Sequence, residues 1–162
     1  MMFPTDEPLA PLIGYRPVAA GDLDCVARVW LNGWLSTGIP LAEQPTFPIL
    51  RARIEREIAT GSWQVTVAVV DGEIVGFVAI SPAAGVVEQL FVAPEHHRQG
   101  IGLALLTLAR ADMPNGSSLW THADNFGAAA FYAKAGMTLV GPGIHPKHGH
   151  PILTFAFEPV DA

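Results

Sequence analysis

The chain has 162 residues, half of them hydrophobic, which fits one domain with a sizeable core. Its formal net charge of −6 has the wrong sign for a protein that neutralises phosphates, so we expect no nucleic-acid partner. No apolar run has membrane-spanning length, and the N-terminus lacks the basic start and apolar core of a signal peptide. We therefore expect a cytoplasmic protein without a membrane partner.

The N-terminal part of the chain predicts a lead-in, a short strand and a helix. Prolines interrupt every regular pattern at the start, so residues 1–12 are expected to be a flexible lead-in and residues 13–160 a single domain. Helical spacing of apolar residues predicts a helix from Asp22 to about Trp34. It contains Cys25, the only cysteine, which excludes an intrachain disulfide and is interpreted as a buried thiol.

A loop, a second helix and a hairpin come next. The loop 36–48 is rich in glycine and proline and is a candidate for facing a substrate. Thr46 is placed to cap the second helix, whose solvent side is expected to carry the pairs Arg51 with Glu55 and Arg53 with Glu57. Two β-rich runs, 65–70 and 74–80, are joined by Asp71-Gly72, which predicts an antiparallel hairpin.

The C-terminal half alternates strands and helices. The predicted elements are a strand 86–92, a helix from about Gly100, a strand 119–122, a helix 126–135 and two final strands, 137–140 and 152–157. This order predicts a mixed α/β domain with one central sheet flanked by helices.

The most informative segment is the strand–turn–helix passage 86–106, VVEQLFVAPEHHRQGIGLALL. The first N–H groups of a helix lack internal partners and carry partial positive charge, and glycines at Gly100 and Gly102 would let a pyrophosphate approach them closely. Neither a Gly-Lys-Ser/Thr ending nor a Gly-x-Gly-x-x-Gly turn follows any strand, so the two standard phosphate loops are absent.

These residues resemble the GNAT acetyltransferase superfamily. The motif Gln/Arg-x-x-Gly-x-Gly/Ala is matched by residues 97–102, HRQGIG, after Val92-Ala93-Pro94, with His97 departing from the usual glutamine or arginine. The downstream segment 125–132, NFGAAAFY, followed by Gly136-Met137, also matches. The resemblance implies a central mixed, mostly antiparallel sheet, acetyl-CoA as co-substrate, and no metal.

The resemblance also implies where the cofactor binds. Backbone groups of residues 90–92 would hold the pantetheine arm, the strand that carries them would bulge and part from strand 119–122, and an amide near Leu90 or Phe91 would meet the oxyanion. The cofactor residues implied are Leu90, Phe91, Val92, His97, Arg98, Gln99, Gly100, Ile101, Gly102, Leu103, Asn125 and Tyr132. Asn125 is open to a second interpretation, as a helix cap.

Two residues are candidates for proton transfer. Helical spacing puts Tyr132 at the end of a face of small residues, where its phenol can protonate the departing thiolate, the alternative being an ordinary half-buried tyrosine. Glu88 lies in an otherwise apolar strand and is the leading candidate to take the proton of an amine, the alternative being an outward-facing residue. Strict alternation would place Glu88 on the same strand face as Leu90 and Val92.

Aromatic and histidine residues are candidates for the acceptor end. Trp30, Trp34 and His122 are proposed to bind the acceptor, with core packing as the stronger interpretation of the two tryptophans. His145, His148 and His150 are predicted to lie in a flexible loop, where metal binding is disfavoured and substrate tuning or proton uptake is open.

The sequence thus predicts an acetyl-CoA-dependent N-acetyltransferase that acts on a primary amine of a small molecule or peptide by direct attack. The alternative is a catalytically silent acyl-CoA-binding sensor or interaction module. The expected partners are acetyl-CoA and an amine, and a homodimer is compatible with the sequence.

Overall fold

The computed structural model describes residues 12–41 and 43–160. Apart from its last residue, Leu12, the predicted lead-in lies outside the described residues. Four α-helices are present in the described part: α1 (Leu23–Leu35), α2 (Phe47–Ala59), α3 (Ile101–Ala111) and α4 (Phe126–Lys134). The same part holds seven strands: β1 (Ile13–Pro17), β2 (Gln64–Val70), β3 (Glu73–Ser81), β4 (Val86–Val92), β5 (Ser117–His122), β6 (Thr138–Ile144) and β7 (Pro151–Phe157).

The strands form one sheet in the order β1-β2-β3-β4-β5-β7-β6. Every neighbouring pair is antiparallel except β4 and β5, which are parallel. The mixed, mostly antiparallel sheet predicted from the sequence is therefore confirmed. No helix within residues 12–41 and 43–160 combines the length and apolar character needed to cross a membrane.

Two apolar cores pack on opposite faces of the sheet. One core joins α3 and α4 to the sheet around Ile101, Leu105 and Tyr132. The other joins α1 and α2 to it around Val26, Ile54 and Phe77. We call these the α3/α4 face and the α1/α2 face. Burying both faces of the central strands explains their nearly continuous apolar runs.

The predicted hairpin and the first helix are confirmed. Asp71 and Gly72 join β2 to β3 with φ of 51° and 79°, the left-handed conformation that a two-residue Asp-Gly turn favours. The sequence also predicted the bounds of β4, and it placed the start of α1 within one residue.

Several local predictions were wrong. Cys25 is exposed, because it lies on the outer side of α1. Thr46 has the extended backbone of a helix cap, but its side chain caps nothing. Arg51 does pair with Glu55 at 3.0 Å, whereas Arg53 turns towards the sheet, 5.1 Å from the ring centre of Trp63.

The ends of the C-terminal strands were also misjudged. β6 extends to Ile144 and β7 begins at Pro151, so the loop that connects them is shorter than predicted and contains only residues 145–150. Gly141 and Pro142, which suggested a loop, lie within β6, at a register shift between Leu139 and Gly141. An edge strand tolerates proline because one of its sides needs no partner.

Candidate active site

The sheet is split between its two parallel strands. β4 pairs with β5 through a single register pair, Val86 with Ser118, and Ser118 N–H donates to the Gly85 carbonyl at 2.9 Å. β4 is paired with β3 along its length on the other side, and β5 with β7. Beyond Val86 the facing edges of the two strands therefore form an open cleft, as the sequence resemblance implied.

The backbone groups that face this cleft follow from strand alternation. Ala93 N–H donates to the Val75 carbonyl on β3 at 2.7 Å. Because successive residues turn their N–H and C=O to opposite sides of a strand, Leu90 and Val92 face the cleft and Phe91 faces β3. The Phe91 amide is thus removed as an oxyanion donor, and its ring packs in the α1/α2 core. Of the two candidate oxyanion donors, only the Leu90 amide faces the cleft.

A β-bulge occurs at Glu88. Ile80 pairs with Val87 and Ala79 with Gln89, so Glu88 is the extra residue on β4. The bulge changes which side chains share a face: Val87, Leu90 and Val92 all pack in the α3/α4 core. The prediction that Glu88 shares a face with Leu90 and Val92 by strict alternation was wrong for this reason.

Glu88 is held on the α1/α2 face. Ser81 Oγ donates to its Oε1 at 2.9 Å and also contacts the Ser62 carbonyl at 3.1 Å. Ser81 follows Ile80, which belongs to the α3/α4 core, so alternation turns Ser81 to the α1/α2 face. The half-buried carboxylate therefore lies beside the cleft, close to the C-terminal end of α2.

The turn before α3 is a row of unpaired amides. Arg98 and Gly100 have φ of 64° and 80°, and the first helical backbone bond runs from Ala104 N–H to the Gly100 carbonyl at 3.0 Å. Among the described residues, no acceptor receives the amides of residues 98–103. Consecutive amides in alternating left- and right-handed conformations form a concave anion-binding site.

His97 and Gly102 make further contacts beside the row of free amides. The His97 amide donates to the Pro94 carbonyl at 3.2 Å, so it does not belong to the row of free amides. Its ring instead lies with Nε2 2.9 Å from the Val92 carbonyl, at the mouth of the cleft. A Cβ on Gly102 would lie 3.4 Å from the Phe131 ring, so this glycine lets α3 approach α4 closely.

Tyr132 lies on the α3/α4 face. Only 8% of the residue is exposed, and burial raises the pKa of its phenol to about 12. The phenol is thus protonated at neutral pH and able to donate. Asn125 accepts from Ala128 N–H at 3.1 Å, so it caps α4, which was one of its two predicted roles.

The predicted tryptophans separate into a core residue and a site residue. Trp30 is 5% exposed and packs among Trp63, Phe77 and Phe91, so its assignment to the acceptor was wrong. Trp34, four residues later, lies at the end of α1. Its ring centre is 6.4 Å from that of His122.

Four histidines form what we call the imidazole column, at the end of β5. His122 stacks on His150 with ring centres 4.6 Å apart, His150 is 4.7 Å from His145, and His145 is 4.8 Å from His148. Exposure increases along this order: His122 is buried, His150 and His145 are half-buried, and His148 is exposed. The sequence did not predict that His122 would join the loop histidines.

Two rings of the column, those of His145 and His150, are shifted towards the neutral form. Burial, and then the neighbouring histidines, lower the pKa of both His145 and His150. His122 Nδ1 accepts from Asp124 N–H at 3.1 Å, and His145 Nδ1 accepts from the amides of Lys147 and His148. The neutral rings of His122 and His145 therefore carry their proton on Nε2.

The rings stack and do not converge on a point. In the described part of the chain, no three His, Cys, Asp or Glu side chains are arranged to hold a metal ion.

Other residues at this end were missed by the sequence analysis. Trp120 is 46% exposed on β5, and its ring centre is 4.6 Å from that of His145. Arg53 packs over Trp30 and Trp63. Alternation in β5 would have put Trp120 and His122 on one face, but only the sheet order shows that this face meets α1.

The site thus combines a split sheet with an anion-binding turn at the open end of its cleft. The acetyltransferase (GNAT) family model matches residues 30–137, well over half of the chain. The chain therefore belongs to the GNAT acetyltransferase family.

Individual relatives agree with this assignment. A mycothiol acetyltransferase of Salinispora arenicola is 37% identical over 75 residues, 44% of this chain; the match covers only 24% of that relative's length. A PaiA N-acetyltransferase of Thermoplasma acidophilum, solved with coenzyme A, has a TM-score of 0.72 at 21% identity, covering 91% of this chain and 99% of that one. A spermidine N-acetyltransferase of Vibrio cholerae, solved with coenzyme A and spermine, has a TM-score of 0.66 at 17% identity, covering 90% and 94%.

Proposed function

We propose that this protein transfers the acetyl group of acetyl-CoA to a primary amine of a small molecule or peptide by direct attack. The observation that carries the proposal is the row of unpaired amides at residues 98–103, which lies at the open end of the β4–β5 cleft. A pyrophosphate bound there would direct the rest of an acyl-CoA into the cleft, past the Leu90 backbone groups and the Val92 amide, which face it.

The two faces of the sheet give the reaction its direction. Tyr132 lies on the α3/α4 face, whereas Glu88 and His122 lie on the α1/α2 face. The thioester would reach the cleft from the first face and the amine from the second. Leaving-group protonation and amine deprotonation would thus be separated across the cleft.

The proposed steps balance in atoms and protons. The amine nitrogen attacks the carbonyl carbon of the thioester, and the Leu90 amide stabilises the oxyanion. Glu88 takes a proton from the nitrogen as the C–N bond forms. The C–S bond then breaks, and Tyr132 gives its phenolic proton to the sulfur and recovers one from Glu88 through solvent.

Two relatives support the substrate classes. The Thermoplasma acidophilum neighbour was solved with coenzyme A, and the Vibrio cholerae neighbour with coenzyme A and spermine, which is an amine. The acceptor of this chain stays open within that class. A cytoplasmic location and a homodimer stay predictions.

The experiment is thiol release from acetyl-CoA across a panel of primary amines, combined with calorimetric titration of coenzyme A. Turnover with at least one amine is expected. Binding without turnover on any amine would favour the rival function, an acyl-CoA sensor, and absence of binding would overturn both.

A matched pair of glycine variants tests the anion site. Gly100 and Gly72 have φ of 80° and 79°, and a Cβ on either meets nothing within 4 Å. Alanine at either position should therefore cost a similar strain of about 1 kcal/mol. Gly100→Ala is expected to weaken coenzyme A binding about tenfold or more, the equivalent of one hydrogen bond to a charged group, and Gly72→Ala should leave it unchanged. Equal affinities would contradict the site.

A further inference from the structure

The proposed reaction gives no role to Arg53, a half-buried arginine of α2. Its guanidinium carbon lies 5.1 Å from the ring centre of Trp63 and 5.7 Å from that of Trp30. In the described part of the chain, no carboxylate pairs with this guanidinium and no oxygen accepts a hydrogen bond from it. By contrast, Arg51 and Arg56 of the same helix each pair with a glutamate. Arg53 is therefore a cation held in place by two rings, with its hydrogen-bond donors unused.

We propose that Arg53 binds an oxyanion carried by the acceptor, so that the acceptor is an amine that also bears a carboxylate or a phosphate group. The amine faces Glu88 and the oxyanion faces Arg53. The proposal rests on the proposed function, because it names the substrate class for that same site.

Position is the first argument, since Arg53 is connected both to Glu88 and to the imidazole column. Glu88 accepts a hydrogen bond from a hydroxyl that also contacts the Ser62 carbonyl, and the next residue, Trp63, supports the guanidinium. On the other side, burial and two neighbouring imidazoles lower the pKa of His145, and the nearby Arg53 lowers it further. The guanidinium therefore lies on the face from which the amine would enter.

The unused donors around Arg53 are the second argument. The neutral rings of His122 and His145 carry their proton on Nε2, because each Nδ1 accepts a backbone N–H. Among the residues that the structure describes, neither Nε2 has an acceptor. An oxyanion accepts several hydrogen bonds from such N–H groups and from a guanidinium. A polyamine brings only further donors and positive charge, so it fits this surface less well.

Preorganisation is the third argument. The planar guanidinium binds carboxylate and phosphate oxygens through two parallel hydrogen bonds. Trp30 and Trp63 already hold the Arg53 side chain, so it loses little further freedom when an oxyanion binds. Because Arg53 is half-buried, solvent screens this attraction less than at an exposed arginine. The guanidinium can therefore distinguish an anionic acceptor from a neutral one.

The test is the ratio of kcat/KM for two acceptors that differ in charge, measured by thiol release from acetyl-CoA. Glycine, β-alanine and longer ω-amino carboxylates are each compared with their amides, and aminoethyl phosphate with ethanolamine. Rates are referred to the free-base concentration of each amine, because the members of a pair differ in basicity. For at least one pair, the wild type is expected to favour the anionic member about ten- to a hundredfold, the equivalent of hydrogen bonds to a charged group.

Variants of α2 show whether this ratio depends on Arg53. Arg53→Met removes the charge and keeps an unbranched apolar side chain, so the ratio is expected to fall to about one. Arg53→Lys keeps the charge but not the planar fork, and an intermediate ratio is expected. The control is Arg56→Met at an exposed position of the same helix, which should keep the ratio of the wild type. Each ratio is taken within one protein sample, so a variant that folds poorly lowers both rates equally and leaves the test valid.

The outcomes are distinct from those of the proposed function. A wild type that uses the neutral member of every pair, or a polyamine, as well as the anionic amines would overturn the oxyanion site. A preference that persists in Arg53→Met would do the same. A wild-type protein that releases no thiol with any amine would instead overturn the proposed function.

Discussion

Tyr132 shows how burial prepares one side chain for acid chemistry. It is the one residue of α4 that is buried, and its ring packs against Phe131 and Phe155. Desolvation disfavours the phenolate, so the pKa of about 12 keeps the proton on the oxygen until a stronger base is nearby. A coenzyme A thiolate is a weaker base than this phenolate, because ordinary thiols have a pKa of about 8.5, so the transfer to sulfur would be made favourable by the proton that Tyr132 recovers from Glu88.

Tyr132→Phe should separate acid catalysis from packing. The ring remains, so the fold and coenzyme A affinity are expected to change little, whereas kcat should fall about a hundredfold because the thiolate leaves unprotonated. Steady-state kinetics with acetyl-CoA, together with a thermal melt, would measure both. An unchanged kcat would return Tyr132 to a packing role.

Helix α1 is fitted to the sheet through a glycine. A Cβ on Gly33 would lie 2.7 Å from Cδ1 of Phe91, so the helix reaches β4 only where no side chain intervenes. The Phe91 ring is itself packed between Trp30 and Phe77, with ring centres 6.5 and 6.2 Å away. Movement of this ring would therefore disturb the strand that borders the cleft.

Gly33→Ala is expected to lower the melting temperature although alanine is the better helix former. The gain in helix propensity is about 1 kcal/mol, and overpacking costs about 1–3 kcal/mol. The control is Asn32→Ala on the exposed side of the same helix, which should raise the melting temperature slightly. A stabilised Gly33→Ala would mean that Phe91 moves freely.

The loop of residues 145–150 should make stability depend on pH. The folded pKa values of His145 and His150 lie below the ordinary value of 6.5, so the unfolded chain binds protons more readily. The two neutral imidazoles contribute fully to the free energy of unfolding above pH 6.5. This contribution is lost as the pH falls towards their lower pKa values in the folded protein. Melting temperatures from about pH 7.5 to 5 should fall less in His145→Gln/His150→Gln than in the wild type. An equal fall of the melting temperature in both proteins would contradict this pH dependence.

At the scale of the whole molecule, the split sheet should become more stable when acyl-CoA fills it. Each of β4 and β5 leaves one edge without a strand partner beyond Val86 and Ser118. Coenzyme A at about a hundred times its Kd should stabilise the fold by about 2.7 kcal/mol. Hydrogen exchange should slow at residues 90–103 and in β5, while the β2–β3 hairpin serves as an internal reference. Protection spread evenly over the sheet would argue against binding in the cleft.

The sequence by itself determined the local elements and the turn of free amides that precedes α3. Asp71-Gly72, the apolar run of β4 and the Gly100 turn each depend on residues close together in the chain. Local backbone preferences and the periodicity of apolar residues therefore predict these elements well. The anion site is predictable for the same reason, because a turn and the helix that follows it are contiguous.

Only the tertiary structure decided what depends on distant partners. The bulge at Glu88 arises from its pairing with β3, and it overrides strict alternation. Trp30 and Trp34 are the same residue type about one helical turn apart in α1, yet one packs in the core and the other beside His122. The imidazole column joins β5 to a loop more than twenty residues later in the chain. No local pattern specifies such a contact, because the order of strands in the sheet decides which distant residues meet.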